Sequence, residues 1–313
     1  MQSFEKVFAT VYLRNGVRLA VKRKRIELSD QQVFEQYIQN ENNSTYNFTN
    51  MFIWAGDGFI TYGLTEGCLV LFFQGKKQPL SASYPVGKGD KRAAVLSVSS
   101  FLEKQGFRPV FRNLSDYMVQ ELEVMFPGCF EFVEDRNTAD YIYETEKMIT
   151  LSGKKLHAKR NHFNYFKNNY SYEYKTLTQA DMPACMSLFD AWVAEKGGEE
   201  DMTASRNAAV KLLEHFDDLP VRGGGIYLDG KLSAFSIGEP VSEDTALIHV
   251  EFALDYRGLF NVINSEFCAH EWTNFKYVNR EEDMGLPGLR QTKLAYRPAY
   301  LLEKFNAVQV KPL

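Results

Sequence analysis

One order of secondary-structure elements occurs twice in this chain of 313 residues. In the first half, the runs Phe59 to Tyr62 and Cys68 to Phe73 flank a turn at Glu66-Gly67 and predict a hairpin. A strand at Ala82 to Val86, a loop Gly87-Lys88-Gly89-Asp90, a helix from Lys91 to Lys104 and a strand Phe107 to Phe111 follow. In the second half, Ile226 to Leu228 and Leu232 to Ile237 flank Asp229-Gly230. A strand Ala246 to Leu254, a loop Asp255-Tyr256-Arg257-Gly258, a helix Asn261 to Trp272 and a strand Phe275 to Val278 come next. The shift is nearly constant: 163 from Gly67 to Gly230, 169 from Gly89 to Gly258 and 168 from Phe107 to Phe275. That period marks duplication of a whole domain, because solenoid units recur at roughly 20–50 residues. The expected fold is α/β (α+β), with two similar tandem halves, each a mixed twisted sheet flanked by helices. The boundaries read as a basic leader over 1–25, a first domain over 26–139 and a second over 140–313, with a basic linking helix at 151–168.

Charge narrows the function classes. The net charge of −4 and a pI near 5.8 do not give the overall basic field usual for a nucleic-acid binder. The positive charge is local: Lys22-Arg23-Lys24-Arg25 in the leader reads as a solvated arm, with an import signal as the alternative. No apolar run is long enough to span a bilayer, and Arg14, Asn15 and Arg18 interrupt the only candidate for a secretory signal. A cytoplasmic location follows as the expectation. Cys68, Cys129, Cys185 and Cys268 lack the close spacing of a zinc or redox site and read as reduced thiols.

The candidate chemistry lies mostly after residue 150. On the linking helix, Leu156, Phe163 and Phe166 define an apolar stripe, and Lys159 and Arg160 interrupt it; with Lys155 and Asn161 they could line a cleft for phosphate or carboxylate. Snorkelling of the long side chains is the plainer alternative. The loop ending in Arg257 and Gly258 leads into a helix and could offer backbone N–H groups to an anion, although a second glycine is lacking. Strand periodicity puts His249 and Glu251 on one face, opposite Ile248, Val250 and Phe252. Glu251 then either pairs with a cation or works as a general base. The polar run Asn279, Arg280, Glu281 and Asp283 follows a strand's C-terminus, where open α/β sheets place ligands, and Arg290 and Lys293 follow on a helix beside Tyr296.

Three stretches go beyond composition: Asn47 to Trp54; Asp140 to Tyr143 through Leu151-Ser152-Gly153-Lys154-Lys155 to Lys159-Arg160-Asn161-His162; and Asn279 to Asp283 through Leu289-Arg290 to Lys293. Over about residues 26–306 the chain resembles the family named after the C-terminal domain of phosphatidylglycerol lysyltransferase. The resemblance implies two tandem domains of the GNAT acyltransferase fold, related to transferases that move an amino acid from aminoacyl-tRNA to a lipid or a peptidoglycan precursor. It also implies a carboxylate or water chain that deprotonates the acceptor and a tyrosine that protonates the leaving group. By topology Glu251 and Tyr296 occupy the matching places. The named lysyltransferases carry a large membrane-spanning portion that is not seen here.

The function expected is transfer of an acyl or aminoacyl group to an amine or hydroxyl acceptor, a small molecule or a lipid headgroup. The donor is acyl-CoA or aminoacyl-tRNA, and no further cofactor is called for. The alternatives are an acyl-CoA-dependent N-acyltransferase and a non-catalytic module that binds tRNA or a metabolite through the same basic helix.

Overall fold

The computed structural model describes residues 21–56, 59–75, 78–195 and 202–313. The first half comprises β1 (Lys24–Arg25), α1 (Gln31–Tyr37), α2 (Phe48–Trp54), β2 (Ile60–Thr65), β3 (Cys68–Phe73), β4 (Ser81–Ser83), α3 (Lys91–Lys104), β5 (Val110–Leu114), α4 (Asp116–Met125) and β6 (Phe130–Glu134). Next come β7 (Asp140–Glu144), α5 (Thr145–Thr150) and α6 (His157–Asn169). The second half follows with β8 (Tyr172–Thr176), α7 (Met182–Glu195), α8 (Met202–Glu214), β9 (Arg222–Leu228), β10 (Lys231–Pro240), β11 (Thr245–Ala253), α9 (Leu259–Glu271), β12 (Tyr277–Asn279), α10 (Pro287–Ala295), β13 (Tyr300–Leu302) and β14 (Phe305–Gln309).

Two sheets of identical plan result, β1-β2-β3-β4-β5-β14-β6 and β8-β9-β10-β11-β12-β7-β13. In each, the fourth and fifth strands run parallel and their neighbours antiparallel. The fold is thus α/β with two tandem mixed sheets flanked by helices. Even the hairpin turns match: Glu66-Gly67 (φ 52° and 74°) and Asp229-Gly230 (φ 47° and 76°) both put two residues in the left-handed region, as the tight turns favoured by strand twist require.

The halves exchange a strand. β7 follows β6 in the chain, yet pairs between β12 and β13 of the second sheet; β14 pairs between β5 and β6 of the first. Residues 305–309, placed by the sequence in the second domain, therefore complete the first sheet. Lys24 and Arg25, read as solvated leader, form its edge strand by pairing with Tyr62 and Thr61. Residues 1–20 of the leader lie outside the described residues. Charged side chains on an edge strand discourage pairing with other chains.

The crossover is held by a buried ion pair. Asp140, at the start of β7, and Lys304, just before β14, are both fully buried, and Lys304 Nζ donates to Asp140 Oδ1 at 2.8 Å. Asp140 also accepts from the Ser44 amide (2.8 Å), the Ser44 hydroxyl (2.7 Å) and Asn279 Nδ2 (3.1 Å). One carboxylate thus ties the first half, the second half and both exchanged strands. The apolar core is continuous across the halves as well, with Phe52 of α2 in one cluster with Leu212 and Leu213 of α8 and Ile237 of β10.

Removing one partner of such a pair strands the other charge in the interior, at a cost of about 3–5 kcal/mol. Lys304→Met and Asp140→Asn are each expected to lose that much in urea unfolding. The double variant should lose less than the sum of the two, and strict additivity would show that the pair does not act as a unit.

Candidate functional site

In each sheet the two central parallel strands part company. β4 and β5 pair only through Ala82–Phe111 and Ser83–Arg112, and β11 and β12 only through Thr245–Tyr277, Ala246–Val278 and Leu247–Asn279. Past Leu247 the second pair opens into a wedge. The wedge leads into a cavity of about 910 Å³ that lies between the halves. Its apolar side comes from Met51 and Trp54 of α2, Ile60 of β2, Ala208 of α8 and Phe252 of β11; its polar side is made by His249, Glu251, Arg280, Glu281, Glu282 and Lys293.

Strict alternation along β11 does not hold. The register runs Ser236–Glu251, Ile237–Val250 and then Gly238–Ile248, so His249 is the extra residue of a β-bulge. Gly238 sits opposite because a Cβ there would lie 2.5 Å from the Leu247 carbonyl oxygen. A bulge re-aims side chains, and all five residues from Ile248 to Phe252 reach the cavity wall, instead of dividing between two faces.

Glu251 and Arg280 face each other across the wedge. Arg280 Nε donates to Glu251 Oε2 at 2.9 Å and Nη2 donates to the same oxygen. Glu251 Oε1 and Arg280 Nη1 are buried without a protein partner, although both residues line the cavity. Burial disfavours the guanidinium charge, but the Glu251 charge outweighs it and raises Arg280 above its ordinary value. Of the two sequence readings of Glu251, a cation partner and a free base, the structure displays the first.

Lys293 shapes the loop that carries this arginine. From the second turn of α10 its buried ammonium donates to three successive carbonyls, of Arg280 (2.6 Å), Glu281 (3.1 Å) and Glu282 (2.5 Å). Left-handed Glu281 (φ 56°) lets these oxygens converge. Burial, reinforced by the Arg280 charge, pulls the lysine down to about 8. The loop then presents Glu281 Oε1 to Asn50 Nδ2 (2.9 Å) and His249 Nδ1 (3.2 Å). On the other side of the imidazole, Nε2 faces Glu239 Oε1 at 2.8 Å, and that oxygen also accepts from Asn47 Nδ2 at 2.8 Å. Burial opposes charge on His249, but the two carboxylates win and push it up to about 9. An imidazolium clamped between two carboxylates therefore links α2 of the first half to β10, β11 and the loop after β12.

The remaining sequence candidates lie elsewhere. Tyr296 does not line the cavity; it is buried behind Arg280, whose guanidinium carbon is 5.1 Å from the ring centre, and its hydroxyl accepts from Asn261 Nδ2 at 2.7 Å. Burial raises the phenol above its ordinary range. Lys159 Nζ packs 4.2 Å from the centre of the same ring, and burial, with help from Arg280, lowers its pKa. Arg160 donates to the carbonyls of Leu151 (2.6 Å) and Gly153 (3.3 Å), bracing the turn before α6 instead of facing a ligand. Lys155 and Asn161 are exposed. Arg257 stacks 4.2 Å from the Tyr165 ring centre on α6, and Gly258 (φ 93°) is a packing glycine, because a Cβ there would meet the His162 carbonyl oxygen at 2.1 Å. Asn279 belongs to the Asp140 knot, bonding Asn42 O at 2.8 Å. Asp283 accepts from Tyr141 Oη (2.5 Å) and from Arg290 Nε (2.7 Å), a set of bonds that outweighs burial and holds its carboxyl well below the usual range. Asn50, Glu239 and Glu282 were not singled out by sequence. Asn50 and Glu282 fall inside two of the quoted stretches, whereas Glu239 is the next-to-last residue of β10 and carries no local signal.

The model of the family described as phosphatidylglycerol lysyltransferase, C-terminal, matches residues 37–308. The chain belongs to that family. A conserved protein of unknown function from Bacteroides thetaiotaomicron is 33% identical, with 92% of this chain and 99% of that one covered and a TM-score of 0.86. L-PGS from Bacillus licheniformis, at 14% identity, superposes with a TM-score of 0.66 over 93% of this chain and 94% of the other. An uncharacterised protein of Mycoplasmoides gallisepticum is 24% identical over 182 residues, 56% of this chain and 57% of that protein, so the match spans little more than half of that relative. This family member has, among the described residues, no helix long and apolar enough to cross a membrane.

The His249 clamp generates a pH signature. Its folded value, near 9, lies above the ordinary 6.5, so its stabilisation is complete below about pH 6.5 and is lost as pH rises through 9. A shift of that size corresponds to roughly 3 kcal/mol. In unfolding titrations between pH 6 and 10, the wild type is expected to lose that much more stability than His249→Gln. Parallel pH profiles would show that the imidazole is not charged in the fold.

Proposed function

We propose that this chain transfers an aminoacyl group from the ester of an aminoacyl-tRNA to an amine or hydroxyl acceptor, with the reacting ester held in the cavity between the halves. The observation that carries this reading is the pair of buried atoms, Glu251 Oε1 and Arg280 Nη1, left without partners at the wedge. A buried polar atom without a partner costs about 1–3 kcal/mol, more when charged, and because both residues line the cavity a small shift of the pair would let a ligand there supply the missing donor and acceptor. An aminoacyl ester has that complement: its α-ammonium suits the carboxylate oxygen, and its carbonyl oxygen suits the guanidinium N–H. Charge that builds on the carbonyl oxygen as the nucleophile adds would be stabilised by the same fixed arginine.

Membership of the lysyltransferase family supports aminoacyl transfer, and L-PGS shares the fold. The exposed Lys154 and Lys155 before α6 offer positive charge for the donor's phosphates. Tyr296 contributes in this reading by fixing Arg280, with Lys159 beside it. An acyl-CoA donor is less well served, because Gly258 at the start of α9 is taken up by its contact with α6.

The test is transfer of label from tRNA charged with radioactive lysine or alanine to phosphatidylglycerol vesicles or to small amines and alcohols. Arg280→Lys, which cannot reproduce a planar fork, is expected to slow transfer about 10- to 100-fold while circular dichroism stays that of the wild type. The reading fails if charged tRNA neither binds nor loses its ester faster with the protein than without it. Binding of acetyl-CoA in its place would identify the donor as a thioester.

A further inference from the structure

Among the described residues, the carboxylates on the cavity wall are those of Glu251, Glu281 and Glu282, and they are not equivalent. Glu251 is engaged by Arg280, and Glu281 by Asn50 and His249. The Glu282 carboxylate accepts no hydrogen bond from the described residues, its nearest cation being Lys304 Nζ at 3.8 Å from Oε2. Only its backbone is fixed, by the Lys293 ammonium on its carbonyl at 2.5 Å. A third of the side chain remains accessible, 34%, so it can meet a ligand in the cavity. The result is a carboxylate on a firm backbone, two residues from the arginine that would hold the ester, with no hydrogen bond from the described residues on either oxygen and Lys304 only at ion-pair distance from Oε2.

On the aminoacyl-transfer reading above, we infer that Glu282 is the catalytic residue that takes the proton from the acceptor nucleophile. The step balances without a further reagent. The acceptor's hydroxyl or neutral amine attacks the ester carbonyl, forming the new C–O or C–N bond, and its proton passes to a Glu282 oxygen. As the C–O bond to the tRNA ribose breaks, the same proton passes to the departing ribose oxygen. Glu282 ends as it began, a carboxylate.

The charged groups around it agree. Burial at the cavity wall raises its pKa, Asp140 and Glu281 add to the rise, and Lys304 and Lys293 oppose it, leaving the group at about 7. A base is most effective when it titrates near the working pH. The rate should therefore climb as pH rises through about 7, where the carboxylate forms, and level off above.

Two probe acceptors separate this role from a structural one. Glycerol is a neutral alcohol whose proton must be removed, whereas hydroxylamine attacks esters readily without such help. With labelled lysyl- or alanyl-tRNA as donor, Glu282→Gln is expected to slow transfer to glycerol by about 10²–10⁴-fold and to abolish the rise near pH 7. Transfer to hydroxylamine should stay within a few-fold of wild type. Equal losses with both acceptors, or no loss with either, overturn the assignment. If the wild type transfers to neither probe and does not bind charged tRNA, the aminoacyl-transfer reading itself is wrong and the role of Glu282 falls with it. If charged tRNA binds but only hydroxylamine reacts, in the wild type and the variant alike, donor binding stands and Glu282 is not the base.

Discussion

The crossover that joins the two halves is held by the buried contact of Asp140 with Lys304. These residues stand where the two exchanged strands leave their own halves, and the carboxylate also gathers Ser44 and Asn279. Apolar packing alone would not fix this crossover. Two similar sheets, each lacking one strand, could each accept its own strand or its partner's, and side-chain volume discriminates weakly between such alternatives. A buried ion pair discriminates strongly, since a misplaced strand would leave a full charge in the interior. We therefore read the pair as a specifier of which strand enters which sheet. Its consequence is that neither half has a complete sheet without the other, so the wedge and α2 are held in a fixed relation by construction.

That relation explains why the polar network runs through both halves. His249 and Glu239 belong to the second sheet, but the clamp is completed from the first half by Asn50 of α2 and, through Glu239, by Asn47, which caps α2. A duplicated fold with a simple linker would leave the cavity walls free to drift. Here the strand exchange, the shared core around Phe52 and the imidazolium clamp all act on the same interface. Preorganised charge is worth most where water is excluded and the groups cannot relax. On the polar side of the cavity Glu251, Arg280 and His249 are held by these bonds, while Met51, Trp54 and Phe252 make its apolar side.

The duplication was legible because it is written in local signals: paired Gly turns, alternating apolar runs and a near-constant offset. The helix expected at about Lys91 to Lys104 occupies those residues, and the basic linking helix, expected over 151–168, spans His157–Asn169. The crossing of β14 into the first sheet was not legible, because the pattern of a strand says that it pairs but not with whom. For the same reason 305–309 went to the wrong sheet. The bulge at His249 was hidden too, since one extra residue leaves composition unchanged while altering which side chains face inward. Among the candidates, Glu251, Arg280, Glu281, Lys293 and His249 do converge. Arg160, Asn279 and Asp283 carry the right chemistry for a site but spend it on backbone carbonyls, the crossover knot and the Tyr141–Arg290 clasp. Sequence identifies costly polar residues without saying whether protein or ligand meets the cost.

That distinction decides how the loop after β12 should be read. From Asn279 to Asp283 its polar side chains alternate between service to the fold and exposure to the cavity: Asn279 and Asp283 are fully buried in hydrogen-bonded clusters, and Arg280 to Glu282 line the cavity. The left-handed turn at Glu281, held by one lysine under three carbonyls, makes that division possible in so short a segment. Fold and site are therefore coupled there. A change that relaxes Lys293 would move Arg280 and Glu282 together, and a ligand that grips Arg280 would pull on the same turn. The same segment therefore carries two kinds of polar group: those closed into hydrogen bonds with the fold, and those on the cavity wall, where, among the described residues, Arg280 Nη1 has no protein partner and the Glu282 carboxylate has only the Lys304 ammonium, 3.8 Å from its Oε2.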